Sequence, residues 1–255
     1  MNLINKNKFL LEEIVKRNFA AKYKDSFLGI LWSVLKPLLT MTLMTIIFST
    51  IFKGSIENYA VYFLCGRCIY DFFTAGVSVS MNSIIGNKII IMKTPSPKFI
   101  FILGGIISEF MNLIISLIIL IAVMIVTKST FFFETIPYAI IPIISVVMML
   151  SGIGLMLSIS CVYYTDIKHL WSVVSLMLMY ASALFYPMDI IPEPYHQYII
   201  LNPLFWIIDQ FRHFILWGTI PNTLNIINSL LLSLIILVLG VIVFKKYETK
   251  VMMKL

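Results

Sequence analysis

Six apolar runs divide the chain, at residues 31–52, 59–84, 99–126, 137–163, 171–186 and 224–244, with polar and charged positions gathered between them. A helix crosses a hydrocarbon core of about 30 Å with about 20 mostly apolar residues, so each run is read as one spanning helix. The runs are too long and too little alternating for barrel strands, and backbone polar groups cannot stay unpaired in lipid. The pattern predicts an all-α polytopic membrane protein with six spans. Composition agrees: the chain is 60% hydrophobic and 12% charged, with a mean hydropathy of +0.98, values outside what a water-soluble domain of 255 residues can bury.

Upstream of the first run the period becomes that of an amphipathic helix. Leu11, Ile14, Val15 and Phe19 recur at helical spacing, while Glu12–Lys16 and Glu13–Arg17 stand four apart in the favourable order. Residues 6–23 are read as a helix lying on the membrane face, with a short solvated tail as the alternative. Charges continue through Lys24 before the first apolar run, unlike the start of a cleavable signal.

Positive charge sets the orientation. Fifteen of the 19 Lys and Arg residues fall before the first run, between runs two and three, between four and five, or after the sixth. By the positive-inside rule both termini are expected in the cytoplasm. The other four are Lys53, Lys128 and Arg212 in outer segments and Arg67 within a span. The net charge of +7 is therefore attributed to topology and anionic lipid, not to nucleic acid.

The outer segment 187–221 is too long for a turn and too apolar for a free loop, and five prolines punctuate it. The pieces 195–201 and 204–217 are helical in pattern but too short to span. They predict a pair of helices that dip into the outer leaflet and return, as a lid on a path through the bundle or as a buried packing hairpin. The expected organisation is one transmembrane domain, 1–255: an interfacial segment 1–30, spans one to five within 31–186, outer helices 187–221, span six at 224–244 and a tail 245–255.

Charge inside a span is costly and turns toward protein or water. Arg67 and Asp71, four apart in the second run, either neutralise each other or line an aqueous path, and Glu109 lies in the third. Cys65 and Cys68 form a CxxC, which without a nearby His or third Cys reads as packing rather than redox or metal chemistry. No GxxxxGK[ST], HExxH or GxSxG motif occurs, so this chain neither cradles a nucleotide nor carries a recognisable hydrolase site. Asp189, Glu193, His196 and Asp209 share the outer segment and are the only basis for a membrane-embedded enzyme.

Three motifs then carry a resemblance. YKDSFLGILWSVLKPLL (23–39) resembles the "RYRxSxLGxLWxxLxPLL" signature of permease subunits of ABC-type polysaccharide exporters (ABC-2 type), which move O-antigen, capsule and teichoic acid chains. YYTDIKHLW (163–171) is similar to that family's "YxRDIxH" segment, and NPLFWIIDQFRHFILWG (202–218) to its "NPxxxxxxxxRxxxxxG" segment. The chain departs from the family at Thr165, where Arg is usual, and around Gly66, where Arg67 and Cys68 stand in a normally apolar run.

The resemblance implies a homodimeric permease of the inner (plasma) membrane, paired with two copies of a separate ATPase that binds the ATP. The chain itself would hold no cofactor or metal. It implies ATPase docking through the N-terminal helix and residues 86–98, with Lys88, Lys93, Thr94 and Pro95, and at Asp166; the outer gate would include Asn202, Pro203 and Arg212. A lipid-linked glycan would cross with its sugars in a wet channel, stacking on Trp32, Tyr180, Phe185 and Tyr186 beside Arg67, each of which also reads as interfacial belt or core. Its phosphate would meet Arg17, Lys22 and Lys24 at headgroup depth. An ABC permease for a drug or small lipid, and an ATP-independent membrane enzyme or assembly factor, are the alternatives.

Overall fold

The computed structural model describes residues 3–23, 28–51, 56, 58–94 and 96–254. Lys24, Lys53 and Pro95 lie outside them. The described residues are helical and include no strand: α1 (Leu3–Tyr23), α2 (Trp32–Ile51), α3 (Tyr59–Gly86), α4 (Lys88–Lys93), α5 (Phe99–Val126), α6 (Ile140–Tyr163), α7 (Ile167–Ala181), α8 (Glu193–Ile200), α9 (Pro203–Arg212) and α10 (Thr223–Lys254). Five helices, α2, α3, α5, α6 and α10, are long and apolar enough to span a bilayer. This is an integral membrane protein of the all-α class.

Helix α3 is the axis of the packing, with α5 and α6 against it and α10 closing on α6. Asn58 starts it, its side chain accepting from the Val61 amide at 3.3 Å and so relieving one of the unpaired amides of the first turn. Side-chain bonds sort the connections into two ends. At the lysine-rich end, Lys98 meets Glu248 at 3.2 Å and Lys254 donates to the Tyr163 carbonyl at 3.4 Å. At the opposite end, Asn58 donates to Ser129 at 2.6 Å and Thr135 to the Phe214 carbonyl at 2.7 Å.

The N-terminal helix does more than lie on a surface. Its one deeply buried apolar side chain, Ile14, fills the notch left by Gly104 on α5, where a Cβ would fall 2.5 Å from Ile14 Cγ2. The expected pairing of Arg17 with Glu13 is replaced: Glu13 meets Lys16 at 3.5 Å, and Arg17 donates to Asn87 at the end of α3 at 2.6 Å. A partner offered by another helix wins because it is partly withdrawn from water, where a charge-assisted bond is worth more than an exposed pair.

The fifth span differs from expectation. Helix α7 begins at Ile167 and stops at Ala181, 15 residues that rise only about 22 Å. The apolar run continues to residue 186, but the backbone turns at Ala183, which takes φ +48°, and five side-chain bonds capture the carbonyls that would have extended the helix. Tyr62 donates to those of Ala183 and Tyr186, Tyr59 to that of Phe185, and Arg212 to those of Ala183 and Leu184. Phe185 and Tyr186 are thus in a turn.

The outer segment holds the expected pair, α8 and α9, meeting at 96°. Asn202 caps α9, accepting from the Leu204 amide at 3.0 Å and donating to the Ala181 carbonyl at 3.1 Å, and Pro203 occupies the first turn. One π-helical turn, His213–Trp217, continues α9 and ends at Gly218, whose left-handed φ of +61° and close contact with the Phe132 ring leave no room for a side chain. Helix α10 runs unbroken through the expected tail to Lys254.

Candidate functional site

Apolar helices that must expose lipid-compatible faces concentrate their polar residues elsewhere, and here those residues face a common cavity. On α5, Glu109, Asn112 and Ser116 are spaced three and four apart and so share one face; on α3, Arg67, Asp71 and Thr74 do the same; on α2, Lys36 and Thr40. Together with Lys22 of α1, Trp32 of α2 and Ser175 and Met179 of α7, they line a cavity of about 650 Å³.

Two ion pairs organise it. Lys22 donates to Glu109 Oε2 at 2.9 Å, and Asn112 adds a second bond to the same oxygen at 3.0 Å, so the buried carboxylate is held from two helices. Arg67 Nε donates to Asp71 Oδ2 at 2.8 Å, while its Nη1 reaches Met179 Sδ at 3.8 Å. The guanidinium lies 5.7 Å from the Tyr70 ring centre, and Tyr70 donates to the Ser175 carbonyl at 2.7 Å, tying α7 to α3. Trp171 repeats that link one end over, through Ser78 at 3.1 Å. The arrangement offers fixed charges, hydroxyls and one exposed indole around space wide enough for water or a polar ligand. Among the described residues no three His, Cys, Asp or Glu side chains converge as metal ligands would. Cys65, Cys68 and Cys161 are buried free thiols.

Of the residues singled out from sequence, Trp32, Arg67 and Lys22 meet at the cavity. Tyr180 is exposed near the end of α7. Phe185 is buried among Phe48, Phe63 and Tyr180, with ring centres 5.8–5.9 Å apart, and Tyr186 donates to the Tyr180 carbonyl at 2.5 Å; neither lines the cavity, because the helix that was to carry them has already ended. Arg17 is engaged with Asn87. Lys88 and Lys93 begin and end α4, Thr94 follows it, and Asp166 precedes α7 without capping it. Asn202 and Pro203 open α9. Arg212 is not an outer surface residue but is buried, with its guanidinium 3.6 Å from the Tyr62 ring centre. Lys36, Asn112 and Ser116 are cavity residues that the sequence reading missed. The three- and four-residue spacing of Glu109, Asn112 and Ser116 inside an apolar run was the available signal.

The Lys22–Glu109 pair couples α1 to the bundle. Glu109→Gln is expected to weaken α1 docking by roughly 1 kcal/mol, since Lys22 is half in solvent and the pair is partly screened. Hydrogen exchange should then be about fivefold faster over residues 3–23 and unchanged in α3 and α6; an unchanged α1 would show that Ile14 alone holds it.

The comparisons with known proteins follow this architecture over nearly its whole length. The profile of the ABC-2 type transporter family matches residues 10–216. The O-antigen export system permease protein RfbA of Klebsiella pneumoniae is 27% identical over 241 residues, covering 94% of this chain and 92% of that protein. RfbA of Myxococcus xanthus is 20% identical over 230 residues, 89% and 88% of the two chains. The polysialic acid transport protein KpsM of Escherichia coli is 21% identical over 245 residues, 94% of each. A profile match across most of the chain, on a bundle of spanning helices around a polar cavity, establishes that this protein belongs to the ABC-2 type transporter family, as a membrane-embedded transporter subunit.

Proposed function

We propose that this chain is the permease subunit of an ATP-driven exporter that moves lipid-linked polysaccharide, of the O-antigen or capsule kind, out of the cytoplasm across the inner membrane. The observation that carries the reading is the charged, hydroxyl-bearing cavity of about 650 Å³ among spanning helices, in a chain that aligns along 94% of its length with polysaccharide-export permeases. A path for a glycan needs water, hydrogen-bonding groups and an aromatic face that tolerates many hydroxyl patterns, and Trp32 supplies the last. The lipid part would remain in the bilayer beside α2, none of whose residues is buried within the chain.

The exporter would be a homodimer, with both termini cytoplasmic and with two copies of a separate ATPase at the lysine-rich end. That end offers a short helix suited to docking: α4 exposes Ile89 and Met92, 70% and 59% accessible, between Lys88 and Lys93. Apolar residues presented singly in water between basic flanks are the composition of an interface core and rim. Helices α8 and α9 would form the outer gate.

Affinity purification from native membranes in mild detergent tests the reading. An ABC ATPase recovered in equal amount supports it; recovery of the chain alone, even after gentle crosslinking, sinks it. The double variant Ile89→Asp, Met92→Asp is expected to lose the ATPase from the purified complex by tenfold or more, a shift of at least about 1.4 kcal/mol. Membrane insertion should be unchanged, since both side chains already face solvent.

A further inference from the structure

Charge in the cavity does not balance. Three cationic side chains, Lys22, Lys36 and Arg67, face two carboxylates, Asp71 and Glu109. Glu109 is taken by Lys22 and Asp71 by Arg67. Lys36 makes no hydrogen bond or salt bridge among the described residues, although it acts electrostatically on Asp71 across the cavity. Arg67 also keeps donors in reserve: Asp71 takes its Nε proton and Met179 sulfur only a long contact at 3.8 Å, out of five N–H groups. One ammonium and the free edge of one guanidinium therefore border the same space, inside a bundle where an uncompensated charge is expensive and is usually kept for a partner. Thr40, one turn beyond Lys36, and Ser116 opposite it add neutral hydrogen-bonding groups.

We infer that the cavity is an anion site that selects acidic glycans, with Lys36 and the free edge of Arg67 binding a carboxylate or phosphate carried by the saccharide. The inference rests on the proposed export of polysaccharide and names the class of chain exported. A planar guanidinium and an ammonium together match an oxyanion with two oxygens, whereas a neutral hydroxyl leaves Lys36 unmatched. Asp71 and Glu109 keep the site from holding more than one such group at a time, which suits a chain that must move on after each sugar.

The test uses the full chain in lipid nanodiscs, with Cys65, Cys68 and Cys161 replaced by Ala and a single probe thiol from Ser116→Cys, or Thr40→Cys if that variant is not monodisperse. The probes are an anionic (sulfonatoethyl) and a cationic (trimethylammonioethyl) methanethiosulfonate, each normalised to its rate with free cysteine. The anionic reagent is expected to react about tenfold faster, one unit charge at a few ångströms in a partly hydrated site. Lys36→Gln should bring the ratio near unity, and Lys36→Arg should restore it. A glucuronate-containing hyaluronan hexasaccharide should slow labelling more than neutral maltohexaose. No charge preference, or one indifferent to Lys36→Gln, overturns the anion site. A charge preference with equal or no protection by the two sugars overturns selectivity for acidic glycans and assigns the site to the lipid phosphate. Neither result bears on the export reading, which stands or falls with recovery of the ATPase.

Discussion

Arg212→Met is expected to lower the thermal midpoint of the purified protein by roughly 10 °C, the largest loss of any single polar substitution in the chain. The reason is the number of groups that one guanidinium satisfies. It donates to the Tyr62 carbonyl and hydroxyl at 3.3 and 2.9 Å, to the Ala183 carbonyl at 3.0 Å and to the Leu184 carbonyl at 3.2 Å, with its plane against the Tyr62 ring. All four contacts are buried, and each carbonyl left without its donor costs about 1–3 kcal/mol, so a loss of about 3 kcal/mol is a conservative sum. Methionine fills the volume and satisfies none of them. Lysine keeps the charge but not the planar fork or the ring contact, and should recover less than half of the loss. The chain carries its own reporter: Cys65 and Cys68 on α3 are buried near this contact, so a thiol-reactive dye reads unfolding directly. Gly66→Ala is an independent route to the same damage, because its Cβ would fall 2.7 Å from Arg212 Nη2 and 2.8 Å from Leu184 Cδ2. If both variants melt within about 2 °C of the parent, Arg212 is not the clamp between α3, the turn after α7 and α9.

That clamp also marks where reading the sequence stops working. Apolar period and proline placement are local, and they located the five long spans, the amphipathic α1 and the bent outer pair within a few residues, because in lipid the backbone must satisfy itself within each helix. The end of α7 is not local. Residues 182–186 are as apolar as the helix before them, and what stops the helix is a set of donors on Tyr59, Tyr62 and Arg212, 28 to 126 positions away. Reading the run as one helix put Phe185 and Tyr186 on a channel face; with the turn in place they are core.

The cavity was half legible. Arg67 and Asp71 announce each other because they are four apart on one helix. Lys22 and Glu109 are separated by 87 positions, and a lone lysine near a membrane edge reads as a headgroup ligand until its carboxylate partner is known. Arg17 was misassigned for the same reason, its partner being Asn87. Polar residues inside apolar runs were the better guide: the face made by Glu109, Asn112 and Ser116 points to the cavity with no help from any other helix.

Gly152→Ala is expected to destabilise by more than the loss of any comparable surface contact, for a reason specific to membranes. Lipid chains are as apolar as leucine, so spans are held together by close van der Waals packing and by the backbone approach that small residues allow. Helices α6 and α10 form the most extensive pair in the bundle, and at their crossing Gly152 and Gly240 leave backbone against backbone. A Cβ on Gly152 would lie 2.3 Å from the Ile236 carbonyl oxygen, and one on Gly240 would lie 2.4 Å from the Gly152 oxygen. Neither obstacle is a side chain that can swing away, so relief requires the axes to separate by about 1 Å, and that gap forfeits part of the dispersion energy of every neighbouring contact. A loss of roughly 2 kcal/mol, about 5 °C in the midpoint, is expected for either alanine. Gly86→Ala, whose Cβ meets nothing within 4 Å, should be neutral or slightly stabilising as a control for helix propensity. Because one separation relieves both clashes, the double variant Gly152→Ala, Gly240→Ala should melt close to the worse single variant rather than at the sum. Additive losses would mean that the two glycines act at independent contacts, and an unshifted Gly152→Ala would mean that α6 and α10 pack less closely than 2.3 Å to a new Cβ implies.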